Sequence, residues 1–310
     1  MSAVAEAEAA AGLLRSPRRR MRAAEMVPYL LLLPAAVLVL GITAYPIADL
    51  FRVAFHATRY FRVGEWNGGA NFLPLATASG MRSVLSSAVF VAASDGLTLA
   101  VALGLALVLE GPLRGRGLLR TLVMAPWLVS QVVTALMWQG LFDPNFGPVT
   151  AVLHTLAGHP VSPLSDGYGA MSVMVIANVW RSYPFATILM LAALQSIPGE
   201  LYEAARVDGA TRWQELRHIA VPMIGRTAAV VAALLTFDYF TLVTLPFIMT
   251  GGGPNEATYV LSLRTWREAF TNYHFGASAA TGVVILVLNL LLAVAYIRKQ
   301  GQQRASRVPQ

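Results

Sequence analysis

The sequence predicts an all-α, polytopic membrane protein with about six transmembrane helices. Of its 310 residues, 56% are hydrophobic and only 13% are charged, and the mean hydropathy is +0.58. This composition is more apolar than that of water-soluble domains. Because a membrane-spanning helix needs about 20 predominantly apolar residues, apolar runs of that length mark the spans. The predicted transmembrane helices are 27–48, 83–109, 120–142, 168–196, 223–249 and 275–297.

Charges are rare inside these runs. Apart from arginines at the ends of two of them, Arg120 and Arg226, the second, fourth and fifth runs carry one charge each: Asp95, Arg181 and Asp238. Several runs also contain proline, which a soluble helix would disfavour. In a membrane, neighbouring helices can satisfy the backbone groups that proline frees, so kinked helices are expected at Pro34, Pro126 and Pro184.

The distribution of Lys and Arg predicts the orientation, because positive charge near helix ends is retained in the cytoplasm. With both termini cytoplasmic, sixteen of the 23 Lys and Arg residues lie inside, six lie outside and Arg181 lies within the membrane. Residues 1–25 and 299–310 are then cytoplasmic tails that flank a permease domain at 26–298. Contact with anionic lipid head groups accounts for the net charge of +7 without nucleic-acid binding.

The three consecutive arginines that precede the first apolar run have an alternative interpretation, a secretory or twin-arginine signal. The apolar run is longer than the core of such a signal, and no convincing small-residue cleavage site follows it. A cytoplasmic tail that leads into a retained first helix is therefore the preferred interpretation.

The sequence predicts no catalytic, metal or cofactor site in this chain. There is no cysteine to form a disulfide or to bind metal through a thiolate. A phosphate-binding P-loop needs Gly-Lys followed by Ser or Thr, but the only lysine, Lys299, lies between Arg298 and Gln300. His154 and His159 are five residues apart in a predicted outer loop, and ordinary loop residues are favoured over a metal pair there.

A polar segment at 198–222, which separates the fourth and fifth spans, predicts two short helices joined by a sharp turn. Glu200 and Glu203 favour the positive N-terminal end of the first helix. Gly209 suits a left-handed stop at its C-terminal end. Thr211 and Gln214 fit a capping box that begins the second helix. The second helix is expected to pack on the bundle through Trp213, Leu216 and Ile219.

Helix pattern alone leaves two interpretations of this segment open: a docking helix for a cytoplasmic partner, or an amphipathic helix that lies on the lipid surface. The spacing of Glu203-Ala204-Ala205, Gly209, Ile219 and Pro222 resembles the EAA loop of binding-protein-dependent ABC importers and favours docking. Val221 stands where leucine is commoner in that family, which is a conservative departure.

Other motifs resemble permeases of the carbohydrate-uptake branch of the same family, so that the similarity covers nearly the whole chain. They are Ala44-Tyr45-Pro46-Ile47, Ala125-Pro126-Trp127, the segment from Trp180 to Phe185, Asp208-Gly209-Ala210 and the segment from Thr250 to Pro254. The resemblance implies an ABC importer permease (MetI-like) fold in a bacterial cytoplasmic (inner) membrane.

The resemblance also implies the partners and the site that engages them. The chain would pair with a second permease, expected to be a different chain, and with two ATPase subunits and an extracytoplasmic solute-binding protein. ATP and Mg would be bound by the ATPase and not by this chain. The ATPase would be coupled through Glu203, Ala204, Ala205, Arg206, Asp208 and Gly209, and the solute would be a sugar or sugar-like.

The intramembrane charges have two interpretations. A structural salt bridge of Arg181 to Asp95 or to Asp238 is preferred. The alternative is a proton- or ion-coupled secondary transporter that uses these charges directly. A sugar needs hydrogen-bonding groups and aromatic faces, and the candidates for its path near the middle of the membrane are Gln131, Trp138, Asn178, Trp180, Tyr183, Phe237 and Tyr239.

Overall fold

The computed structural model describes residues 23–111 and 115–305. Nearly all of the predicted tail at 1–25, the part of the tail beyond residue 305, and residues 112–114 lie outside the described residues. The described residues begin with helix α1 (Ala23–Ala54), followed by a two-stranded antiparallel sheet of β1 (His56–Arg59) and β2 (Arg62–Trp66). Thr58 pairs with Val63 in this sheet, and the register is irregular between His56 and Thr58.

The remaining elements up to the polar segment are a 3-10 helix (Ala70–Ala76), α2 (Ala78–Glu110), α3 (Arg116–Met124), a 3-10 helix (Ala125–Leu128), α4 (Gln131–Leu141), α5 (Pro148–Ala157), a 3-10 turn (Pro163–Ser165) and α6 (Gly167–Gln195). After it come α7 (Gly199–Val207), α8 (Arg212–Glu215), a π-helical turn (Leu216–Ala220), α9 (Val221–Thr241), α10 (Thr244–Met249), α11 (Leu261–Phe270) and α12 (Phe275–Ala305). Among the described residues, five helices are long and apolar enough to cross a membrane, or six if one bent pair counts as a span.

The predicted third span, 120–142, is that bent pair and not one kinked helix. The helical segments Arg116–Leu128 and Gln131–Leu141 are bent relative to each other by 91°. Pro126 lacks a backbone N–H to donate within a helix, and Val129 is extended. The hydroxyl of Ser130 then accepts a hydrogen bond from the N–H of Val133 and caps α4. Pro126 before the break and the Ser130 cap after it therefore both favour ending one helix and starting another.

The predicted fifth span, 223–249, is also divided. Helix α9 ends at Thr241, because Leu242 is extended, and α10 begins at Thr244. The carbonyl of Leu242 accepts a 2.7 Å hydrogen bond from the hydroxyl of Ser262 on α11. A distant helix thus satisfies a backbone group that a continuous helix would have bonded itself. At the end of the chain, α12 continues to Ala305, beyond the predicted end of the last span at residue 297.

The chain divides into two compact units, residues 1–49 and 50–310. The described part of the first unit is the amino-terminal portion of α1, whose apolar side chains from Leu30 to Tyr45 are exposed. In the second unit, α2 and α6 form the most extensive helix pair, and α11 packs on α12. Its core is centred on Phe90, Met174, Met190, Leu194, Tyr239 and Leu261.

Candidate functional site

The polar segment at 198–222, called the coupling segment below, has the predicted form of helix, turn and helix. Helix α7 ends in a Schellman motif: the N–H of Ala210 donates to the carbonyl of Ala205 at 2.9 Å, and the N–H of Gly209 donates to that of Arg206 at 3.0 Å. Gly209 has φ +79°, a left-handed conformation that costs a residue with a β-carbon about 1–2 kcal/mol. The predicted role of Gly209 as the helix stop is confirmed.

The predicted capping box at the start of α8 is also confirmed. The hydroxyl of Thr211 accepts from the backbone N–H of Gln214, and the side-chain oxygen of Gln214 accepts from the N–H of Thr211 at 2.7 Å. Leu216 and Ile219 pack on the core as expected. The prediction for Trp213 is wrong, because its side chain is 68% exposed.

The structure places most of the predicted coupling residues on the surface. Glu203, Ala204, Asp208 and Gly209 are exposed, and Ala205 is partly buried. Among the described residues, no helix packs extensively along α7. The surface of α7 is therefore available to a partner.

Arg206 makes a contact that the sequence did not predict. Its Nε donates to Oε1 of Glu215 at 2.9 Å; the Arg206 side chain is 66% exposed, whereas that of Glu215 is only 10% exposed. The opposite charges of Arg206 and Glu215, on the two sides of the Gly209 turn, could have indicated this pair. The sequence did not indicate that Glu215 would be buried.

A cavity of about 560 Å³ lies between the coupling segment and the end of α2. Its polar lining comes from Glu110, Tyr202, Glu203, Arg206, Arg212 and Glu215. Tyr202 packs on the core with part of its ring. Burial raises the pKa of the Tyr202 hydroxyl, and the neighbouring carboxylates of Glu110 and Glu215 raise this pKa further. The polar lining of the cavity thus combines three carboxylates with two guanidinium groups and one tyrosine hydroxyl.

Within the predicted membrane region, Arg181 on α6 pairs with Asp238 on α9, which is one of the two predicted alternatives. Nη2 of Arg181 lies 3.1 Å from Oδ2 of Asp238. Asp95 takes no part in this pair. It is buried on α2 and accepts a 2.5 Å hydrogen bond from the hydroxyl of Thr236, which also lies 3.3 Å from the hydroxyl of Tyr296.

The Arg181–Asp238 pair lines a cavity of about 250 Å³, called the membrane cavity below. Its other lining residues are Trp127, Ser182, Phe185, Leu234 and Leu235. Trp127 and Phe185 stack with their ring centroids 6.2 Å apart and an interplanar angle of 23°. The cavity therefore offers a paired charge beside two aromatic faces.

Buried polar atoms lie close along the chain to this cavity. The side-chain amide of Asn178, Nε of Arg181 and Nε1 of Trp138 have no hydrogen-bond partner among the described residues, and the hydroxyl of Ser182 lies near that of Tyr239. Asn178 and Ser182 are one turn apart on α6. Buried polar groups are normally bonded to protein, water or ligand, so this part of α6 can bind water or a polar solute.

The seven predicted path residues do not form one group in the structure. Tyr239 is buried, and its hydroxyl lies 3.0 Å from that of Thr98, which indicates a packing role. Trp138 stacks on Phe142 and contacts the edge of Trp180. Phe237 is exposed, Gln131 and Tyr183 are partly buried, and Asn178 is buried.

The membrane cavity is lined by residues that the prediction left out, Trp127, Ser182 and Phe185, and by none of those seven among the described residues. Phe185 follows Arg181 by four residues and so lies on the same face of α6. This spacing could have indicated that Phe185 lies beside Arg181 in the cavity.

The two histidines of the predicted outer loop bond to backbone carbonyls, and the structure places His154 on α5. A ring nitrogen of His154 lies 2.6 Å from the carbonyl of Val161, and one of His159 lies 3.3 Å from that of Pro160. Over residues 23–111 and 115–305, no group of three or more potential metal ligands was found.

Comparison with known proteins gives a family match over most of the chain. Residues 96–297 match the family described as "binding-protein-dependent transport system inner membrane component". The chain is 32% identical to the trehalose/maltose transport system permease protein MalF of Thermococcus litoralis, over 87% of this chain and 92% of that protein. It is 31% identical to the sn-glycerol-3-phosphate transport system permease protein UgpA of Yersinia pseudotuberculosis, over 91% of this chain and 97% of that protein.

A solved structure has the same fold. The chain matches a crystal structure of a bacterial ABC transporter involved in the import of the acidic polysaccharide alginate, with a TM-score of 0.76 and 23% identity, over 92% of this chain and 97% of that one. At this identity the likeness concerns the fold, and the predicted MetI-like permease fold is confirmed.

Proposed function

This chain belongs to the family of inner-membrane components of binding-protein-dependent transport systems, and on that premise we propose that it carries a sugar or sugar-like solute across the membrane for an ATP-driven importer. The observation that carries the proposal is the exposed helix α7, which is joined through α8 and the π turn to α9. A partner that moves α7 would move a helix that lines the membrane cavity.

The energy enters through a separate ATPase, which would bind ATP and Mg. The sequence contains no P-loop, while the exposed residues Glu203, Ala204, Asp208 and Gly209 offer a low, polar surface to a partner. The complete importer would contain a second permease of different sequence, two ATPase subunits and an extracytoplasmic solute-binding protein. Both termini and the coupling segment would lie in the cytoplasm, in agreement with the distribution of positive charge.

We assign the membrane cavity to the solute path. Asp238 is charged and its side chain is 47% exposed, an arrangement that is costly against lipid and acceptable beside a watery space or a protein partner. A second permease that covers this face would enclose the Arg181–Asp238 pair together with Trp127 and Phe185. Aromatic faces and hydrogen-bonding groups are the contacts that a sugar uses.

The solute class is supported by the relatives named above, one of which transports trehalose and maltose by name. The buried groups without partners among the described residues, above all the amide of Asn178, suit a ligand rich in hydroxyl groups. The alternative of an ion-coupled secondary transporter has no observation in its favour.

Reconstitution tests the proposal. Proteoliposomes that contain this chain with its second permease, ATPase and binding protein should accumulate a labelled oligosaccharide when ATP is present inside. Proteoliposomes with this chain alone should not accumulate it under an imposed proton or sodium gradient. Accumulation by the chain alone would contradict the proposal, whereas failure of the complete complex on a panel of sugars would contradict the solute class.

A further inference from the structure

The Arg206–Glu215 pair connects the two halves of the coupling segment. Arg206 lies in the last turn of α7, and Glu215 lies at the end of α8. The chain between these helices is a four-residue turn that passes through Gly209 in a left-handed conformation. The side chains of Arg206 and Glu215 link the two helices across this turn through a 2.9 Å contact between Nε and Oε1.

Helix α7 has few other constraints on its position. No described helix packs extensively along it, and the 560 Å³ cavity separates part of it from the end of α2. Its contact with the core is made by Tyr202. The turn at Gly209 and the Arg206–Glu215 pair therefore determine much of the angle between α7 and the helix that enters the membrane.

Glu215 is held rigidly on the membrane side of the turn. Residues Arg212–Thr241 form one helical span, which includes the π turn directly after Glu215. Asp238, which lines the membrane cavity, lies on the same span. A force on α7 that passes through Arg206 to Glu215 would thus act on the helix that lines the solute path.

The burial of Glu215 makes this contact more than a surface ion pair. An exposed pair contributes little, but a buried carboxylate that loses its partner is left with an uncompensated charge. Among the described residues, the side chain bonded to Glu215 is that of Arg206. The carboxylate of Glu110 lines the same cavity and makes an unpaired charge on Glu215 less favourable still. Arg212 also lines this cavity, but among the described residues it forms no ion pair with Glu215.

We propose that Glu215 is a positioning residue for energy coupling, because its pair with Arg206 makes α7 and α9 move together when the ATPase moves α7. The pair is a connection within this chain, so Arg206 acts on Glu215 and is not primarily a contact to the ATPase. This inference rests on the proposed function, since it presumes that an ATPase engages α7. Without the pair, ATP hydrolysis continues while less solute is moved for each ATP consumed.

The test uses the complete importer in proteoliposomes and measures solute imported per ATP hydrolysed, together with the amount of ATPase that co-purifies. The variants are Arg206→Glu, Glu215→Arg and the double variant with both changes, which restores a pair of opposite charges. Each single reversal should lower uptake per ATP by at least about twofold, the smallest effect expected for coupled residues in contact. The double variant should recover most of the loss, and the ATPase should co-purify with all three.

Two further variants keep the test interpretable. Glu215→Gln has nearly the same shape as the native side chain, so it should fold even if Glu215→Arg does not, and it should also lower uptake per ATP. Arg217→Glu is the matched control, because Arg217 is exposed on the π-helical turn, does not line this cavity and has no ion pair among the described residues; uptake per ATP should stay at the wild-type value.

Two results would overturn the inference: wild-type uptake per ATP in the Arg206 and Glu215 single variants, or a double variant as impaired as the single ones. Failure of the proposed function itself is distinguishable, because the wild-type complex would then show no ATP-driven uptake at all.

Discussion

Arg181 and Asp238, 57 residues apart in the chain, form a 3.1 Å ion pair between α6 and α9. The pair joins a helix that contains the motif from Trp180 to Phe185 to the helix that continues from the coupling segment. It also lines the membrane cavity beside Trp127 and Phe185. A rotation of α9 would alter this contact, so the pair would connect the proposed solute path to the helix that we propose moves with the coupling segment.

Replacing Asp238 with Asn should impair uptake because Arg181, whose side chain is 13% exposed, would lose its compensating charge. A fully buried pair that loses one partner costs about 3–5 kcal/mol; since Asp238 is 47% exposed, about 1–2 kcal/mol is expected. The double variant Arg181→Gln/Asp238→Asn, which removes both charges, should recover part of the loss of thermal stability in detergent. Equal stability of the wild-type and Asp238→Asn proteins would contradict a structural role of the pair.

Asp95→Asn should retain uptake. The amide oxygen of Asn can accept the hydrogen bond that the hydroxyl of Thr236 now donates to Asp95. Asp95→Leu should instead lower stability by about 1–3 kcal/mol, because it leaves that buried hydroxyl without its acceptor. Uptake of the labelled solute and thermal unfolding in detergent measure the two effects. In Asp95→Leu the hydroxyl of Tyr296, 3.3 Å from that of Thr236, is the one remaining partner among the described residues. Loss of uptake with Asp95→Asn at normal stability would favour a proton-carrying role for Asp95.

Gly209→Val should weaken association with the ATPase. Gly209 has φ +79°, and a β-branched residue is strained in that conformation by about 1–2 kcal/mol or more. The end of α7 should therefore shift while membrane insertion is unaffected. Co-purification of the ATPase measures the effect. Gly199→Ala is the matched control, because its added β-carbon meets nothing within 4 Å and its φ is not positive; ATPase association should be normal.

The orientation can be tested because the native chain contains no cysteine. Asn272, which follows α11 and is exposed, is predicted to lie outside, whereas Ala204 on α7 is predicted to lie inside. A membrane-impermeant maleimide added to whole spheroplasts should label Asn272→Cys and should leave Ala204→Cys unlabelled until the membrane is opened. The reverse pattern would overturn the predicted topology.

Local features of the site were predictable from the sequence. The capping box depends on residues three apart, and the stop at Gly209 depends on one backbone conformation, so neighbouring residues are enough to indicate both. The choice between Asp95 and Asp238 as the partner of Arg181 was not predictable, because it depends on which faces of α2, α6 and α9 meet. The same applies to the break after Thr241, which is stabilised by Ser262 on a different helix.

The error at Trp213 has a specific cause. Its predicted burial, with that of Leu216 and Ile219, assumed an undistorted α-helical period through the second half of the coupling segment. The structure has a π-helical turn at Leu216–Ala220, which changes how residues before and after it share a face. Glu215 is buried there and Trp213 is exposed.

The central claim is that an ATPase engages the exposed face of α7, and cross-linking tests it most directly. Ala204→Cys would be introduced into this otherwise cysteine-free chain, and the complete importer would be treated with a short bifunctional thiol reagent after cysteines are placed on the ATPase surface. We expect a covalent product of this chain and the ATPase, with a yield that changes when ATP is added. A complex that imports its solute and yields no such product at Ala204, at Glu203→Cys or at Asp208→Cys would contradict it.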